Sequence, residues 1–247
     1  MAINTFVLVV MIVLFGAMVR TVFGFGEALV TMPLLGLCAI KLTTATALIG
    51  VIGLLVAVPA AIRHRGHVDL KILKRLVIGS IFGIPFGIIL IKFGNSHLIL
   101  RGLGIFIALY GLYNLTFIKW LQMISVKKIS FRGDYVAGMI SGALGSAFNT
   151  HGVPVVIYGS LRKWPVGKLK GILQAHFVFI GMLVVISQLS SGMWDRDVLR
   201  LLLIIVPLLF IVVPFAEWLA SKIKPDKMIN YIYVALIIFG SLLVITK

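Results

Sequence analysis

Two glycine-containing breaks in apolar sequence hold the residues best suited to binding chemistry. They are GFGE at 24–27 and NTHG at 149–152. A helix that begins after such a break exposes backbone N–H groups and the positive end of its dipole, which together attract an anion. Glycine also lets a ligand approach the backbone closely. We therefore interpret Gly24, Gly26 and Gly152 as parts of an anion-binding site, with close helix packing as the alternative.

The second break is rich in polar side chains. Asn149, Thr150 and His151 are consecutive, and Tyr158 lies one helical turn beyond Pro154. Hydrocarbon penalises such groups unless they face a cavity or one another, so we expect these four polar residues to contact a ligand. His151 could serve as a neutral donor, as a proton carrier, or as a side chain bonded to a neighbouring carbonyl.

Three further residues are candidates for the pathway. Thr46 and Gln174 stand at loosely corresponding positions of the two halves, and ordinary bonding of the Thr hydroxyl to its preceding helical turn is the alternative. Glu27 is the acid of the first break, and a carboxyl group beside an anion suits a proton-coupling role. The alternative is that Glu27 caps its own helix. The site predicted in this way needs no buried Lys or Arg.

The composition excludes an ordinary soluble domain. The chain has 247 residues, of which 61% are hydrophobic and 12% charged, against roughly 45–50% and about 25% in soluble proteins. The 23 Lys and Arg against 7 Asp and Glu favour basic cytoplasmic loops over nucleic-acid binding. The single cysteine, Cys38, cannot form an intrachain disulfide. The sequence shows no nucleophile–base pair, HExxH motif or P-loop at recognisable spacing, so we predict a non-enzyme without metal or cofactor.

Hydrophobic runs and breakers predict an all-α integral membrane protein with about ten elements. Five elements fall in a first membrane repeat at 1–118 and five in a second at 135–247, joined by a basic linker at 119–134. The second element of each half is short, which indicates broken or re-entrant helices near 24–40 and 149–162. The predicted elements lie at 3–22, 26–40, 44–62, 76–93, 98–118, 135–149, 153–162, 171–190, 198–219 and 228–246.

The two halves can be matched residue by residue at two places. Gly24 pairs with Gly145 and Asp69 pairs with Asp197, because the members of each pair stand at similar distances before a proline. Five elements are an odd number, so the second half starts on the opposite side of the membrane from the first. The sequence therefore predicts an inverted-topology repeat.

The positive-inside rule orients this repeat. Most Lys and Arg residues then fall on the cytoplasmic side, where Arg20 is counted with them, and both termini lie outside. The protein is expected to be a multi-pass protein of the plasma (inner) membrane whose oligomeric state is open, homo-oligomers included. The basic loops placed in the cytoplasm are 63–75, 119–134, 162–170 and 221–227.

Three stretches and the shared spacing of the halves resemble the sulfite exporter TauE/SafE family, also called DUF81. The stretches are FGFGEALVTMPLL, RHRGHVDLKILKRLVIGSIFGIPFG and DYVAGMISGALGSAFNTHGVPVVIYGSLRKW. The resemblance implies a transporter of sulfur-containing anions such as sulfite and organosulfonates. Inverted repeats with interrupted helices are themselves typical of secondary transport by alternating access, with ion or proton coupling. An anion channel is the main alternative and an intramembrane enzyme the next.

Overall fold

The computed structural model describes residues 3–38, 40–117, 130–222 and 225–247, and each regular element in these ranges is helical. Each of the ten predicted elements corresponds to one α-helix there. A short 3₁₀ turn at Arg65–His67 extends α3, and a π-helical turn at Tyr113–Phe117 extends α5. The helices are α1 Ile3–Phe23, α2 Glu27–Leu37, α3 Leu42–His64, α4 Leu70–Phe93, α5 Ser96–Leu112, α6 Arg132–Phe148, α7 Gly152–Leu161, α8 Val166–Ser190, α9 Arg196–Lys222 and α10 Pro225–Thr246.

Most helices begin within three residues of the predicted start, but two begin five or six residues earlier. α4 starts at Leu70 rather than 76, because the Asp69 carboxylate accepts the first free N–H groups of the helix. α8 starts directly after Pro165 rather than at 171. In both cases the basic residues interpreted as loop form the first turns of the helix. The predicted linker at 119–134 lies mostly outside the described residues, and its end belongs to α6 from Arg132 onward.

Among the described residues, six helices are long and apolar enough to cross a bilayer, namely α1, α3, α4, α5, α8 and α9. By contrast, α2 and α7 have 11 and 10 residues, which at 1.5 Å per residue reach only about half of a 30 Å hydrocarbon layer. Large apolar side chains such as Phe210 and Ile245 stay 79% and 80% exposed, as expected for surfaces that face lipid. The chain is therefore a multi-pass membrane protein.

The main helix contacts join the two halves of the chain. α4 packs on α6, α1 on α9, α3 on α8, and α5 on α10. Glycines allow the α4–α6 contact, since a Cβ added at Gly83 would stand 2.0 Å from the carbonyl oxygen of Met139 and one at Gly142 would stand 2.1 Å from that of Ser80. Small residues let membrane helices approach this closely. The halves thus share one core.

Two aspartates cap the helices that are fourth in the first five and fourth in the last five. Asp69 caps α4, and Asp195 caps α9 by accepting the N–H of Val198 at 2.9 Å. The predicted match of Asp69 with Asp197 is therefore wrong by two residues, because Asp197 already lies in the first turn of α9.

Each cap is contacted by the third residue of the third helix of the opposite half. Lys168 Nζ lies 2.8 Å from Asp69, and the Thr44 hydroxyl donates to Asp195 at 2.7 Å. The hydrogen bond from Lys168 lowers the pKa of Asp69 below its usual value. Burial raises the pKa of Asp195, but the bonds from Thr44 and the backbone outweigh it, so that this pKa is also lowered.

Candidate functional site

The two breaks begin with the same local geometry. α1 ends at Phe23, and Gly24 follows with φ +83° and its N–H on the Arg20 carbonyl at 2.7 Å. α6 ends at Phe148, and Asn149 follows with φ +56° and its N–H on the Gly145 carbonyl at 2.8 Å. Two more residues then lead to α2 in one case and to α7 in the other, so each break is three residues long.

The sequence match of Gly24 with Gly145 is therefore wrong by one helical turn. Gly145 lies inside α6, and Asn149 occupies the position that Gly24 has in the first half. Both residues adopt the left-handed conformation that often ends a helix, which asparagine tolerates better than other non-glycine residues. The distance to the next proline was thus a poorer guide to which residues of the two breaks match than the need for a left-handed residue at the helix end.

The N-termini of α2 and α7 face a common void of about 20 Å³. Gly26 and Glu27 line it from the first break, and Asn149, Thr150 and Gly152 from the second. Neither helix has a side-chain cap, so its first N–H groups remain available to a ligand. The void has room for about one water molecule.

A buried ion pair adjoins this void. Arg20 Nη1 lies 3.2 Å from Glu27 Oε2, and the two residues are 6% and 2% exposed. Within the described residues Arg20 Nη2 and Glu27 Oε1 have no hydrogen-bond partner. The Arg20 guanidinium also lies over the Phe177 ring, 4.2 Å from its centroid. Among the described residues, Nη2 is therefore the part of the guanidinium that no other group bonds.

Arg20 corrects two expectations from the sequence. It is a buried residue of α1, so it is not one of the loop cations that orient the protein. It also supplies the buried positive charge that the predicted site did without. The cap interpretation of Glu27 is wrong as well, because the N-cap of α2 is Gly26 and the Glu27 carboxylate turns to Arg20.

The third helix of each half is bonded to the break of the other half. Gln174 Nε2 donates to the Gly24 carbonyl at 2.7 Å, and Asn149 Nδ2 donates to the Thr46 carbonyl at 2.7 Å. The Thr46 hydroxyl reaches Ala147 O at 3.2 Å rather than a carbonyl of its own preceding turn. Thr46, Gln174 and Asn149 thus hold the breaks in place.

His151 lies against the aromatic wall of the site. Its ring contacts Phe177 edge to face at 4.7 Å, and within the part of the chain that the structure describes neither ring nitrogen has a hydrogen-bond partner. The Ser141 hydroxyl donates to the His151 carbonyl at 2.5 Å, so His176 Nε2, at 2.8 Å, must donate to Ser141. His176 is therefore bound to Ser141 as a structural group, whereas the buried His151 ring packs on Phe177 and does not itself line the void.

A second polar group, formed by Gln188 and Asn149, lies against α3 one helical turn from the ion pair. A Cβ at Gly53 would lie 3.2 Å from Glu27 Oε2, and a Cβ at Gly50 would lie 2.7 Å from Gln188 Oε1 and 3.1 Å from Asn149 Oδ1. Neither amide oxygen finds a hydrogen-bond partner among the described residues. Sequence reasoning missed Gln188, whose only signal is an amide near the end of an apolar helix.

The remaining predicted residues divide into two groups. Gly152 lines the void, and Thr150 lines it while its hydroxyl bonds Leu144 O at 3.3 Å. Tyr158 lies elsewhere, because its hydroxyl donates to Asp134 Oδ1 at 2.5 Å. Asp134, fully buried, also bonds Arg75 and Arg162. The structure thus places Tyr158 in a structural network rather than in the site.

A vestibule of about 490 Å³ leads to the Arg20 side of the void. Its deep end is formed by Arg20, Gly24 and Gln174, and its mouth by residues that include Arg63 and Lys170. Glu217 pairs with Arg63 at the mouth. The vestibule is thus open at one end and closed by the meeting of the breaks at the other.

Among the described residues no three His, Cys, Asp or Glu side chains are grouped so that they could hold a metal ion. A comparison with curated proteins and with solved structures gave no significant match. The family model described as sulfite exporter TauE/SafE matches residues 8–244, which is nearly the whole chain. The protein is therefore a member of the sulfite exporter TauE/SafE family, a family of membrane transporters.

Proposed function

We propose that the protein is a secondary transporter of small sulfur-containing anions, such as sulfite or an organosulfonate. The observation that carries this proposal is the placement of Arg20. Arg20 lines both the vestibule and the void, close to the uncapped N-termini of α2 and α7, and its buried Nη2 has no hydrogen-bond partner among the described residues. A buried cation and two helix N-termini all favour negative charge at one point.

The anion is assigned to the deep end of the vestibule. Arg20 Nη2 supplies a charge-assisted hydrogen bond, and Gly24, Gly26 and Gly152 let the ligand approach the backbone. Asn149 and Thr150 complete the site from the second half, with His151 packed against Phe177, which lines the void. The void beyond has room for only about one water molecule, so further passage requires the breaks to separate. This closure favours a carrier over an open anion channel.

The inverted repeat explains how such a carrier would work. The pairing of α4 with α6 has its counterpart in the pairing of α9 with α1, and α3–α8 and α5–α10 each pair equivalent helices. The capping contacts of Asp69 and Asp195 are equivalent in the same way. These correspondences support two inverted halves that rock about the site and expose it alternately. The positive-inside rule places the vestibule mouth in the cytoplasm and both termini outside.

Glu27 gives this carrier a means of proton coupling. Its carboxylate already occupies one face of Arg20, so it competes with a substrate anion for the same cation. Protonation of Glu27 removes the competing charge and releases Arg20 to bind the anion. Proton and anion would then bind together, which is the requirement for coupled movement.

Counterflow in proteoliposomes tests the transport proposal. Vesicles preloaded with unlabelled sulfite should accumulate labelled sulfite transiently, as a carrier does and a channel does not. Asn149→Ala removes the hydrogen bond from Asn149 Nδ2 to the Thr46 carbonyl that holds the second break in place, and should weaken the apparent affinity roughly five- to hundredfold, since a lost buried hydrogen bond costs about 1–3 kcal/mol. Tyr158→Phe is the matched control and should leave the affinity unchanged. If Asn149→Ala had the affinity of the wild type, Asn149 would have no role in binding the anion.

Coupling is tested separately with Glu27→Gln. The variant should lose uptake driven by a pH gradient while sulfite exchange at equal pH persists. If both fluxes keep the pH dependence of the wild type, Glu27 only pairs with Arg20 and the protein uses another gradient.

A further inference from the structure

An apolar groove lies beside the vestibule, between α3 and α9. It has a volume of about 340 Å³ and adjoins the vestibule along four residues. The shared residues are Val56, Pro59, Val213 and Glu217. The groove is further walled by Leu55, Val206, Phe210 and Pro214.

The two spaces differ in chemistry. The vestibule contains Arg20, Arg63 and Lys170 against the single acid Glu217, so it favours an anionic group. The groove is apolar apart from Glu217, which is already paired with Arg63. A ligand complementary to both spaces has an anionic head and a hydrocarbon tail.

The size of the vestibule points the same way. A four-atom oxyanion fills the space of a few water molecules, each about 30 Å³, and leaves most of about 490 Å³ unoccupied. Gly53 marks the level of Arg20 on α3, because its Cβ position lies 3.3 Å from Arg20 Nη1. At 1.5 Å per residue, Val56 and Pro59 stand about 4.5 Å and 9 Å further along this helix. A tail of several carbons that starts at Arg20 therefore reaches the groove.

We propose that the site takes amphiphilic organosulfonates, with the sulfonate at Arg20 and the alkyl chain in the groove between α3 and α9. This inference rests on the proposed function for the position of the anionic head. It adds that the hydrocarbon tail contributes to affinity and that the groove selects for it.

Binding of straight-chain alkanesulfonates to the full-length protein in nanodiscs tests the proposal by calorimetry. Methanesulfonate reports on the head alone, and butane- and hexanesulfonate add the tail. Each buried methylene should raise the affinity about fourfold, so hexanesulfonate should bind roughly tenfold or more tightly than butanesulfonate. Val206→Phe fills the groove without touching the vestibule. Leu203 lies on the same helix and is 76% exposed, so Leu203→Phe is the matched control.

The inference predicts that Val206→Phe abolishes the rise in affinity with chain length but retains methanesulfonate binding. Leu203→Phe should keep the rise in affinity. A gain that persists in Val206→Phe would show tail partition into lipid and would overturn the inference. Equal affinities along the series in the wild type would also overturn it, leaving the groove to a lipid chain. In either of these cases methanesulfonate binding that depends on Arg20 would leave the proposed function standing. If the wild type bound none of the sulfonates, both the inference and the proposed function would be contradicted.

Discussion

The buried pair of Arg20 and Glu27 allows stability and ligand binding to be separated. Removing one partner of a buried ion pair leaves an uncompensated charge and typically costs about 3–5 kcal/mol. For a chain of this size that loss corresponds to a Tm lower by roughly 6–20 °C. Arg20→Gln should show this loss, because Glu27 is 2% exposed and has no second cation within bonding distance among the described residues.

The double variant Arg20→Gln/Glu27→Gln is the informative one. Two neutral amides keep a hydrogen bond across the same gap, so the Tm should return to within a few degrees of the wild type. Sulfite binding should remain weakened, roughly tenfold to hundredfold, since a hydrogen bond to a charged group contributes about 1.5–3 kcal/mol. Glu27→Gln alone should bind sulfite more tightly than the wild type, because the competing carboxylate is gone.

Thermal unfolding in detergent with and without sulfite measures both quantities in one assay. A double variant that is stable and binds sulfite as tightly as the wild type would refute the role of Arg20 as the anion ligand. Single variants with an unchanged Tm would refute the buried pair as a source of stability.

Two further predictions concern other parts of the fold. Gly50→Ala should preserve membrane insertion but reduce sulfite transport at least tenfold. The added Cβ would meet Gln188 and Asn149 where the two halves must move apart. A full rate of sulfite transport in vesicles would contradict this prediction. The lowered pKa of Asp69 means that its charge stabilises the fold above its unfolded pKa of about 3.9, and that this contribution is lost as the pH falls through the lower folded value. Asp69→Asn keeps the cap and loses the charge, so its Tm should fall less steeply than that of the wild type below about pH 4, by an amount worth less than about 1 kcal/mol at this exposed position. Identical acid profiles would show that Lys168 contributes nothing through Asp69.

The apolar pattern was sufficient to predict the helices and the breaks. Every predicted element corresponds to a helix, since runs of apolar residues between Gly-containing breaks have few other solutions in a bilayer. The starts of α4 and α8 were misplaced because basic residues can continue a helix at the membrane surface. The hydropathy pattern cannot distinguish that arrangement from a loop.

The chemistry of the site was less accessible to sequence reasoning. Arg20 stands at the end of an apolar run, where a cation usually marks the membrane boundary, and only the turn at 24–26 brings it back to Glu27. Gln188 approaches Asn149 across the bundle, over the missing side chain of Gly50. Contacts between residues so far apart in the chain depend on helix packing, which the spacing of residue types does not encode.

The most direct test of the central claim is thiol labelling beside Arg20. Thr21 lines the vestibule next to Arg20, so Thr21→Cys in a Cys38→Ala background places a single reactive group at the proposed site. In inside-out vesicles a membrane-impermeant maleimide should modify this cysteine from the cytoplasmic face, and saturating methanesulfonate, which unlike sulfite does not add to the maleimide, should slow the reaction several-fold. A labelling rate that methanesulfonate does not change would contradict an anion site at the meeting of the two breaks.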